Sequence, residues 1–528
     1  MSCPAPLSIT DLFDPAADVL AEVSDHLYGQ LLAWLLIAVG IWFTVRTRGL
    51  QFRLFGQMLR AIAGSRAGGE GISSFQAFTI GLASRVGTGN IVGVALAIIL
   101  GGPGAVFWMW VVALVGMATA FFEATLAQIF KVRADDGSFR GGPAFYMARG
   151  MGGAGGRVMA GVFAVITLVT CGFIITSVQS NAVAGTLVAA LGGGEGSALP
   201  GFGGLSAAQL VVAGLVLVLT AVVVFGGIRA VARVTEWMAP VMALIYIVLV
   251  AVVCLLNLGD FWRVIGRIIS SAFAPEPLVG GLGGGVLAAV INGTKRGLFS
   301  NEAGQGTAPN AAATATVAHP VQQGLIQSLG VFVDTIIVCT ATAFIILVSG
   351  VYSPALVQAG TLTPKAAGTL TSDAVAATLG SWTAVPMTIV IFVLAFSSII
   401  AAATYSEVSM TFISERPEWR WLPRLVSVVS TGLGALASLT VVWNTVDITM
   451  AIMTLTNLVA LIWLARWGVG ALRDWDAQRA AGRVTPLFSG VGNPYLPGKL
   501  PGDIWAADGA AHAAITERRA ALEEASGS

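Results

Sequence analysis

Two apolar segments of the sequence carry glycine and polar residues near their centres. The first contains "SRVGTGNIVG" at residues 84–93, and the second contains "NGTKRGLFSNEAGQGTAPN" at residues 292–310. Glycine is a poor helix former, and ionisable groups are costly inside a membrane. Backbone freed at a helix break can bind a carboxylate through its N–H groups and a cation or an ammonium group through its carbonyl oxygens. The two segments therefore predict two broken helices that share a binding site.

Close packing of helices through glycine is the alternative interpretation of these segments. Packing explains Gly87, Gly93 and Gly297, but it does not explain the polar residues beside them. Those residues are Arg85, Asn90, Asn301 and Glu302. The broken-helix interpretation is therefore preferred.

The buried charges of these segments are expected to pair with one another. Glu302 is assigned a structural role, paired with Lys295, Arg296 or Arg85. For Arg85 the candidate acids are Glu302, Glu123 and Glu407. A direct contact between Arg85 and a substrate carboxylate is the less favoured alternative.

The composition predicts a membrane protein, because 56% of the 528 residues are hydrophobic and only 10% are charged. Soluble domains carry about 25% charged residues. Apolar stretches near or above the roughly 20 residues that cross a bilayer predict eleven spans. They are 28–47, 74–100, 104–130, 158–190, 206–226, 237–257, 283–318, 322–350, 384–413, 424–443 and 447–467. The net charge of +1 does not indicate a nucleic-acid partner. The four cysteines show no metal-ligand spacing.

The basic residues between spans predict the orientation. With the N-terminus outside, the cytoplasmic loops and tail hold 22 lysines and arginines and the outer loops hold three. Positive residues concentrate on the cytoplasmic side of membrane proteins. The stretch before the first span lacks the positive start and cleavage site of a signal peptide, so the first span is expected to be retained.

The spacing of the two interrupted spans indicates an internal repeat. If the first span is set aside, the interrupted spans are numbers one and six of the remaining ten. Interrupted helices at corresponding positions of two halves are typical of transporters with inverted repeats. The polar tail after Arg466 predicts a flexible cytoplasmic extension with a short charged run, "ITERRAALEEA". No P-loop or HExxH motif is present, and a chain with three histidines does not predict a zinc enzyme.

These segments resemble the alanine/glycine:cation symporters, a bacterial and archaeal family of sodium-coupled amino-acid transporters. The resemblance extends from about residue 70 to residue 465. It rests on "GGPGAVFWMWVVALVG" (101–116), "VGTGNIVGVA" (86–95), "KRGLFSNEAGQGTAPNAAATA" (295–315), "GGPAFYM" (141–147), "FVDTIIVCTATAFIIL" (332–347) and "VDITMAIMTLTNL" (446–458). Relatives often carry Met at the position of Gln305 and Ser at that of Thr307, which bears on the choice of substrate.

The resemblance implies an all-α polytopic membrane protein with a LeuT-type fold: a 5+5 inverted repeat of ten helices plus one extra N-terminal transmembrane helix. The expected divisions are an extracytoplasmic segment 1–27, the extra helix 28–50, repeats 70–257 and 283–467, and a cytoplasmic tail 468–528. The expected location is the bacterial cytoplasmic (inner) membrane.

The resemblance also implies the site residues. The backbone of Thr88 and Gly89 would hold the substrate carboxylate, with Gln179 lining the pocket; Asn181 is an open candidate. At the second break the substrate residues would be Phe299, Ser300, Asn301 and Gly304. Gly87, Ser397 and Ser398 would hold the co-transported sodium ion, because oxygen ligands suit a hard cation.

The implied function is sodium-coupled symport of a small neutral amino acid, alanine or glycine, by alternating access. Such transport makes and breaks no covalent bond, so the protein is not expected to be an enzyme. The alternatives are glutamine or another neutral amino acid as substrate, and protons as the coupling ion. A solute sensor or a channel is the alternative from a different class. The oligomeric state is not predicted.

Overall fold

The computed structural model describes residues 19–63, 72–134, 137–190, 206–273, 284–437, 439–502 and 504–506. Within these ranges the chain is helical apart from turns, loops and one antiparallel ribbon formed by β1 (Val132–Arg133) and β2 (Phe139–Arg140). Most of the predicted segment 1–27 and the loop around Glu195 lie outside the described residues.

Helices of very different lengths follow one another along the chain. The first eleven are α1 (Val19–Arg46), α2 (Leu50–Arg53), α3 (Phe55–Ala63), α4 (Ser74–Arg85), α5 (Val92–Gly101), α6 (Gly104–Ile129), α7 (Pro143–Tyr146), α8 (Gly153–Val188), α9 (Ala207–Val224), α10 (Gly227–Leu256) and α11 (Phe261–Ser271). The others are α12 (Gly284–Asn301), α13 (Ala308–Ala312), α14 (Pro320–Val348), α15 (Pro354–Gln358), α16 (Ala367–Leu379), α17 (Ala384–Ile413), α18 (Trp421–Leu436) and α19 (Leu439–Ala480). Single π-helical turns interrupt α8 at Thr170–Ile175 and α14 at Phe332–Cys339.

The helices make this a multi-pass membrane protein. In the described ranges, eight of them are long and apolar enough to cross a bilayer, namely α1, α6, α8, α9, α10, α14, α17 and α19. Helix α4 and the run Thr88–Gly101 form a ninth, bent candidate. The two remaining predicted spans, 283–318 and 424–443, correspond to shorter helices: α12 with α13, and α18. The total of eleven spans therefore stays a prediction.

The first predicted break is confirmed. Helix α4 begins with a capping box between Ser73 and Gln76 and ends at Arg85. Gly87 is extended, Thr88–Asn90 form a single 3-10 turn, and α5 begins only after it. The two halves are bent by 50°.

The second predicted break is also confirmed. Helix α12 ends at Asn301 and α13 begins at Ala308. Glu302, Gly304 and Gly306 have φ angles of 57°, 92° and 87°. This left-handed conformation interrupts a right-handed helix and favours glycine, which has no Cβ to clash.

The two broken helices run in opposite directions. Ile72, just before α4, pairs with Ala315, just after α13, and the Thr316 N–H donates to the Ile72 carbonyl at 3.2 Å. We call this end of the bundle the base. We call the opposite end, from which α12 leads down past the contact of Lys295 with Asp25 at 2.5 Å, the top. Helix α4 therefore begins at the base, whereas α12 and α13 lead down to it.

The prediction of a flexible tail is wrong for its first part. Helix α19 continues to Ala480, and the chain after it folds back against the base. Phe488 and Trp505 are buried there, because large apolar side chains gain free energy by leaving water. Residues 507–528, including the predicted charged run, lie outside the described ranges.

Candidate substrate and cation site

The two breaks meet at the centre of the bundle. A Cβ atom on Gly89 would lie 2.8 Å from the Phe299 ring, so only glycine allows this approach. Below it, the Asn90 amide donates to the Ser300 hydroxyl at 3.0 Å. Both contacts join the 3-10 turn of the first break to the last turn of α12.

The predicted pocket residue Gln179 lies beside the first break. Its side-chain oxygen accepts a hydrogen bond from the Thr88 N–H at 3.2 Å. A Cβ on Gly87 would be 3.3 Å from the Gln179 amide nitrogen and would overlap the Ser398 hydroxyl. The Thr88 hydroxyl is buried and has no partner in the described part of the chain. The structure thus brings Thr88, Gly89, Gln179, Phe299 and Ser300 together.

Two serines and two backbone carbonyls form an oxygen cluster at the end of α4. Ser398 Oγ is 2.8 Å from the Ala83 carbonyl oxygen and 3.2 Å from that of Ser84. Ser397 Oγ is 3.4 Å from the same Ala83 oxygen. These groups lie at a helix C-terminus, where carbonyl oxygens carry partial negative charge. Their chemistry suits a hard cation such as sodium.

Asn181 does not face this centre. Its side-chain amide donates to the carbonyl oxygens of Gly434 at 3.1 Å and of Ala437 at 2.6 Å. Asn181 therefore joins α8 to the end of α18, as polar residues often do between membrane helices.

The lower part of the second break is occupied by protein side chains. Glu123 accepts from the N–H of Gly304 at 3.0 Å and from that of Gly306 at 2.8 Å. Asn457 donates to Glu123 at 2.7 Å and to the Gly304 carbonyl at 2.9 Å. Tyr146 donates to Asn457 in turn. In this conformation the backbone polar groups of the predicted substrate residue Gly304 are thus bonded within the protein.

The expected pairing of Arg85 with an acid is not found. Arg85 donates to the Asn301 carbonyl and to the Gln327 side-chain oxygen, each at 2.9 Å. In the described ranges no carboxylate lies within salt-bridge distance of Arg85. Arg85 thus still joins the two breaks, but its partners are the carbonyl at the C-terminus of α12 and the Gln327 side-chain amide instead of a carboxylate. The hydrogen bond from Arg85 joins the predicted substrate residue Asn301 to the end of α4.

Glu302 also lacks the expected basic partner. Its carboxylate accepts from the hydroxyls of Ser84 and Thr307. Lys295 and Arg296 pair instead with Asp25 and Asp447. Both lysine and arginine lie more than one helical turn before Glu302 on α12, and Glu302 itself has left the helix. The sequence spacing could not reveal this change of direction.

Aromatic side chains cover the site on the side of the top. The Trp443 and Phe299 ring centroids are 4.6 Å apart, and the Arg296 guanidinium lies 4.8 Å from the Trp443 ring. The buried pair between Arg296 and Asp447 joins α12 to α19 above them. Phe299 was a predicted substrate residue, but sequence reasoning did not assign Trp443, Arg296 or Asp447 to the site, although "VDITMAIMTLTNL" pointed to α19.

Asp334 is a further buried acid that sequence reasoning did not assign. It lies on the π-helical turn of α14 and accepts from Asn90 at 2.6 Å. The hydroxyls of Ser300 and Thr335 each donate to it at 2.7 Å. Asp334 thus contacts both breaks. An acid inside an apolar span was the signal that could have identified it.

Comparison with known proteins assigns the chain to a family. The model of the sodium:alanine symporter family matches residues 14–489. The chain belongs to the sodium:alanine symporter family. Amino-acid symport is thus its class of function, and the family consists of transporters rather than enzymes.

Curated relatives carry related names. Amino-acid carrier protein AlsT of Bacillus subtilis (strain 168) is 42% identical, over 90% of this chain and 96% of its own length. Probable sodium/glutamine symporter GlnT of the same organism is 38% identical, over 89% and 92%. Sodium/alanine symporter AgcS of Methanococcus maripaludis is 34% identical, over 84% and 93%.

Among solved structures, a mutant manganese transporter of Eremococcus coleocola overlaps with a TM-score of 0.41 and 13% identity. The overlap covers 76% of this chain and 78% of that one. This similarity is too low to assign the topology.

Proposed function

We propose that this protein imports a small neutral amino acid, alanine or glycine, together with sodium by alternating access. The meeting of the two breaks beside Ser397 and Ser398 supports this proposal most directly. It brings four helix ends, a glutamine amide and an oxygen cluster into one buried region. Such a region can bind a zwitterion and a cation together.

The substrate carboxylate would bind at the start of α5. The Thr88 and Gly89 N–H groups lie at the N-terminal end of that helix, where the helix dipole favours negative charge. The Gln179 amide and the unpartnered Thr88 hydroxyl would supply further hydrogen bonds. No basic side chain is needed for this carboxylate.

The substrate ammonium group would bind at the end of α12. The carbonyl oxygens in its last turn lack partners within the helix, and Phe299 and Ser300 belong to that turn. Phe299 would also limit the size of the substrate side chain. Asn301 and Gly304 would hold the shape of the second break rather than contact the substrate.

Sodium would be a second substrate, held by the oxygen cluster at the end of α4. Gly87, Ser397 and Ser398 shape that cluster, and the Ala83 and Ser84 carbonyls complete it. Because the substrate and ion sites share the first break, each ligand would order the backbone that the other needs.

The proposed architecture is the LeuT-type 5+5 inverted repeat preceded by α1. The opposite directions of the two broken helices support it, with α4 and α12 opening the two repeats. The distribution of basic residues supports an N-terminus outside the cytoplasmic membrane of a bacterium and a base that faces the cytoplasm.

Proton coupling is the second candidate, and Asp334 is the observation that favours it. This carboxylate contacts both breaks and has no salt-bridge partner in the described ranges. Protonation of Asp334 would directly change the hydrogen bonds that it accepts from Asn90 and Ser300. If protons drive transport, Asp334→Asn will abolish uptake driven by a pH gradient while leaving exchange of substrate across the membrane.

Glutamine remains the alternative substrate, because one relative is named a probable sodium/glutamine symporter. A channel or sensor is less favoured, because the polar residues of the site are buried and the Trp443 ring covers Phe299. A channel needs a continuous polar pathway instead.

Counterflow in proteoliposomes tests the proposal. Vesicles loaded with one amino acid would take up labelled alanine, and unlabelled glycine, alanine, glutamine and leucine would compete from outside. We expect competition by alanine and glycine only, and only with sodium present. Competition by glutamine would reassign the substrate, and uptake without sodium but with a pH gradient would reassign the coupling ion. No counterflow with any amino acid would refute the proposal.

A further inference from the structure

The chain beyond α19 returns to the base and is anchored there by two aromatic residues. The Phe488 N–H donates to the Ala318 carbonyl at 3.0 Å, and its ring lies 5.1 Å from that of His319. The Trp505 indole N–H donates to the Gln128 carbonyl at 3.1 Å. The Phe488 and Trp505 rings contact each other with their centroids 5.2 Å apart.

Other contacts position this segment, which comprises residues 487–502, 504 and 505. At its start, the Leu487 N–H donates to the Gln478 side-chain oxygen at 2.9 Å, and the Gln478 amide donates back to the Leu487 carbonyl at 2.9 Å. At its end, the Gly490 N–H donates to the Trp505 carbonyl at 2.8 Å and closes the segment into a loop. We call it the tail loop. These hydrogen bonds join the tail loop to α19 and its two ends to each other.

The tail loop covers the connection that carries the lower half of the second broken helix. Gln128, bonded to Trp505 through its carbonyl, donates its side-chain amide to the carbonyls of Ala312 at 2.5 Å and Ala315 at 3.0 Å. Lys131 donates to Ala315 at 3.1 Å and lies 5.0 Å from the Trp505 ring. The tail loop, the end of α6 and residues 312–318 are thus one packed layer.

The same layer restrains the lower half of the first broken helix. Ala315 pairs with Ile72, and α4 begins two residues later. Opening the site toward the base requires α4 or α13 to move away from the bundle. Such a movement would disturb the Ile72–Ala315 bridge, which Trp505 and Phe488 hold from below through Gln128 and Ala318.

We propose that the tail loop is a latch that holds the base closed, and that its release permits the site to open to the cytoplasm. The proposal rests on the alternating access proposed above. The tail loop thereby sets the rate of opening at the base without contacting substrate or sodium.

Hydrogen exchange in purified full-length protein in nanodiscs tests the latch without relying on transport. The variants are Trp505→Ala, Phe488→Ala and the milder Trp505→Phe, which keeps an aromatic ring but loses the indole N–H. Val484→Ala and Val491→Ala are matched controls, because these valines near the anchors are 83% and 66% exposed. The probes are the amides of residues 72–78 and 313–319 at the base and of 367–379 in α16, where the Thr371 hydroxyl donates to the Ile91 carbonyl at the start of α5.

We expect both alanine variants to speed exchange at 72–78 and 313–319 at least tenfold, with Trp505→Phe intermediate. Exchange at 367–379 and in the valine controls should stay within twofold of the wild type. Unchanged exchange at the base would overturn the proposal. An equal increase at 367–379 would also overturn it, because the tail loop would then stabilise the fold in general.

Transport by the same variants supplies an independent readout. A released latch should raise the counterflow rate severalfold and leave the sodium concentration for half-maximal rate unchanged. A counterflow rate equal to or below that of the wild type, together with faster exchange at the base, would contradict the role in opening. If neither the wild type nor any variant transports an amino acid, the proposed function fails, while the exchange data still decide whether the tail loop holds the base closed.

Discussion

Ser397 and Ser398 occupy successive positions on α17, yet both hydroxyls reach the Ala83 carbonyl at the end of α4. Their hydrogen bonds hold the first break in the conformation seen here. When sodium binds, the same oxygens would turn their lone pairs toward the ion. These two serines are therefore the sharpest test of the ion site.

Replacing both serines by alanine should raise the sodium concentration for half-maximal uptake at least tenfold. The change removes two oxygen ligands, and a tenfold change corresponds to about 1.4 kcal/mol. Alanine keeps the helix propensity of α17. Thr388→Ala is the control, since the Thr388 hydroxyl donates to the Ala384 carbonyl of its own helix. Sodium dependence equal to that of the wild type would remove both serines from the ion site.

Thr88→Pro should abolish substrate binding at every sodium concentration. Proline has no backbone N–H and thus deletes a proposed donor to the carboxylate. Thr88→Ala keeps the N–H and loses only the hydroxyl, so it should weaken binding about tenfold, in line with one hydrogen bond to a charged group. Equilibrium binding of labelled alanine measures both effects. If Thr88→Pro still binds substrate, the backbone of the first break is not the carboxylate site.

Helix ends of both kinds meet at the two breaks: α4 and α12 end there, and α5 and α13 begin there. In the second break, the Glu123 carboxylate accepts from the N–H groups of Gly304 and Gly306, just before α13 begins at Ala308. A negative side chain is stabilising at such a helix N-terminus. The start of α5 has no acidic side chain in its first turn, which leaves that end available for a substrate carboxylate.

Glu123→Gln should destabilise the second break by about 1–3 kcal/mol, because an amide NH₂ would face a backbone N–H that then lacks an acceptor. Thermal unfolding and hydrogen exchange at residues 302–307 would measure the loss. The control is Glu418→Gln, which changes an exposed acid in the same way. Stability equal to that of the control would show that the Glu123 charge does not brace the break.

Packing at the base involves residues from the start, middle and end of the chain, and Lys131 lies within it. Its ammonium group is 3.9 Å from the Phe139 ring and has no acidic partner in the described ranges. Burial lowers the pKa of Lys131 to about 7. In the unfolded chain this lysine would lose its proton only near pH 10.4.

The stability of the protein should therefore rise as the pH increases from about 7 toward 10. In this window the unfolded chain binds one more proton than the folded chain, so the slope from this group is up to about 1.4 kcal/mol per pH unit. Burial also lowers the pKa of His319, which is therefore neutral in both states here and does not contribute. Lys131→Met should flatten the pH dependence of the melting temperature between pH 7.5 and 9. An identical pH dependence in both proteins would contradict this assignment.

The amino-acid sequence by itself determined the membrane class, the family and the two breaks. Hydrophobicity is a sum over local residues, and the breaks are local failures of helix propensity at glycines 87, 89, 304 and 306. Hydrophobicity and helix propensity can both be read from neighbouring residues, without knowledge of distant contacts. The grouping of Thr88, Gln179, Phe299 and Ser398 followed from family resemblance and agrees with the contacts seen here.

Only the tertiary structure decided which polar groups satisfy one another. Arg85 binds a helix end instead of an acid, Glu302 binds hydroxyls, and Glu123 rather than a substrate holds Gly304. Each choice depends on the direction of a side chain across two packed helices, and sequence spacing does not specify that direction. The tail loop illustrates the same limit. Its polar composition indicated flexibility, but Phe488 and Trp505 are buried against the base, a surface that forms only from residues distant in the sequence.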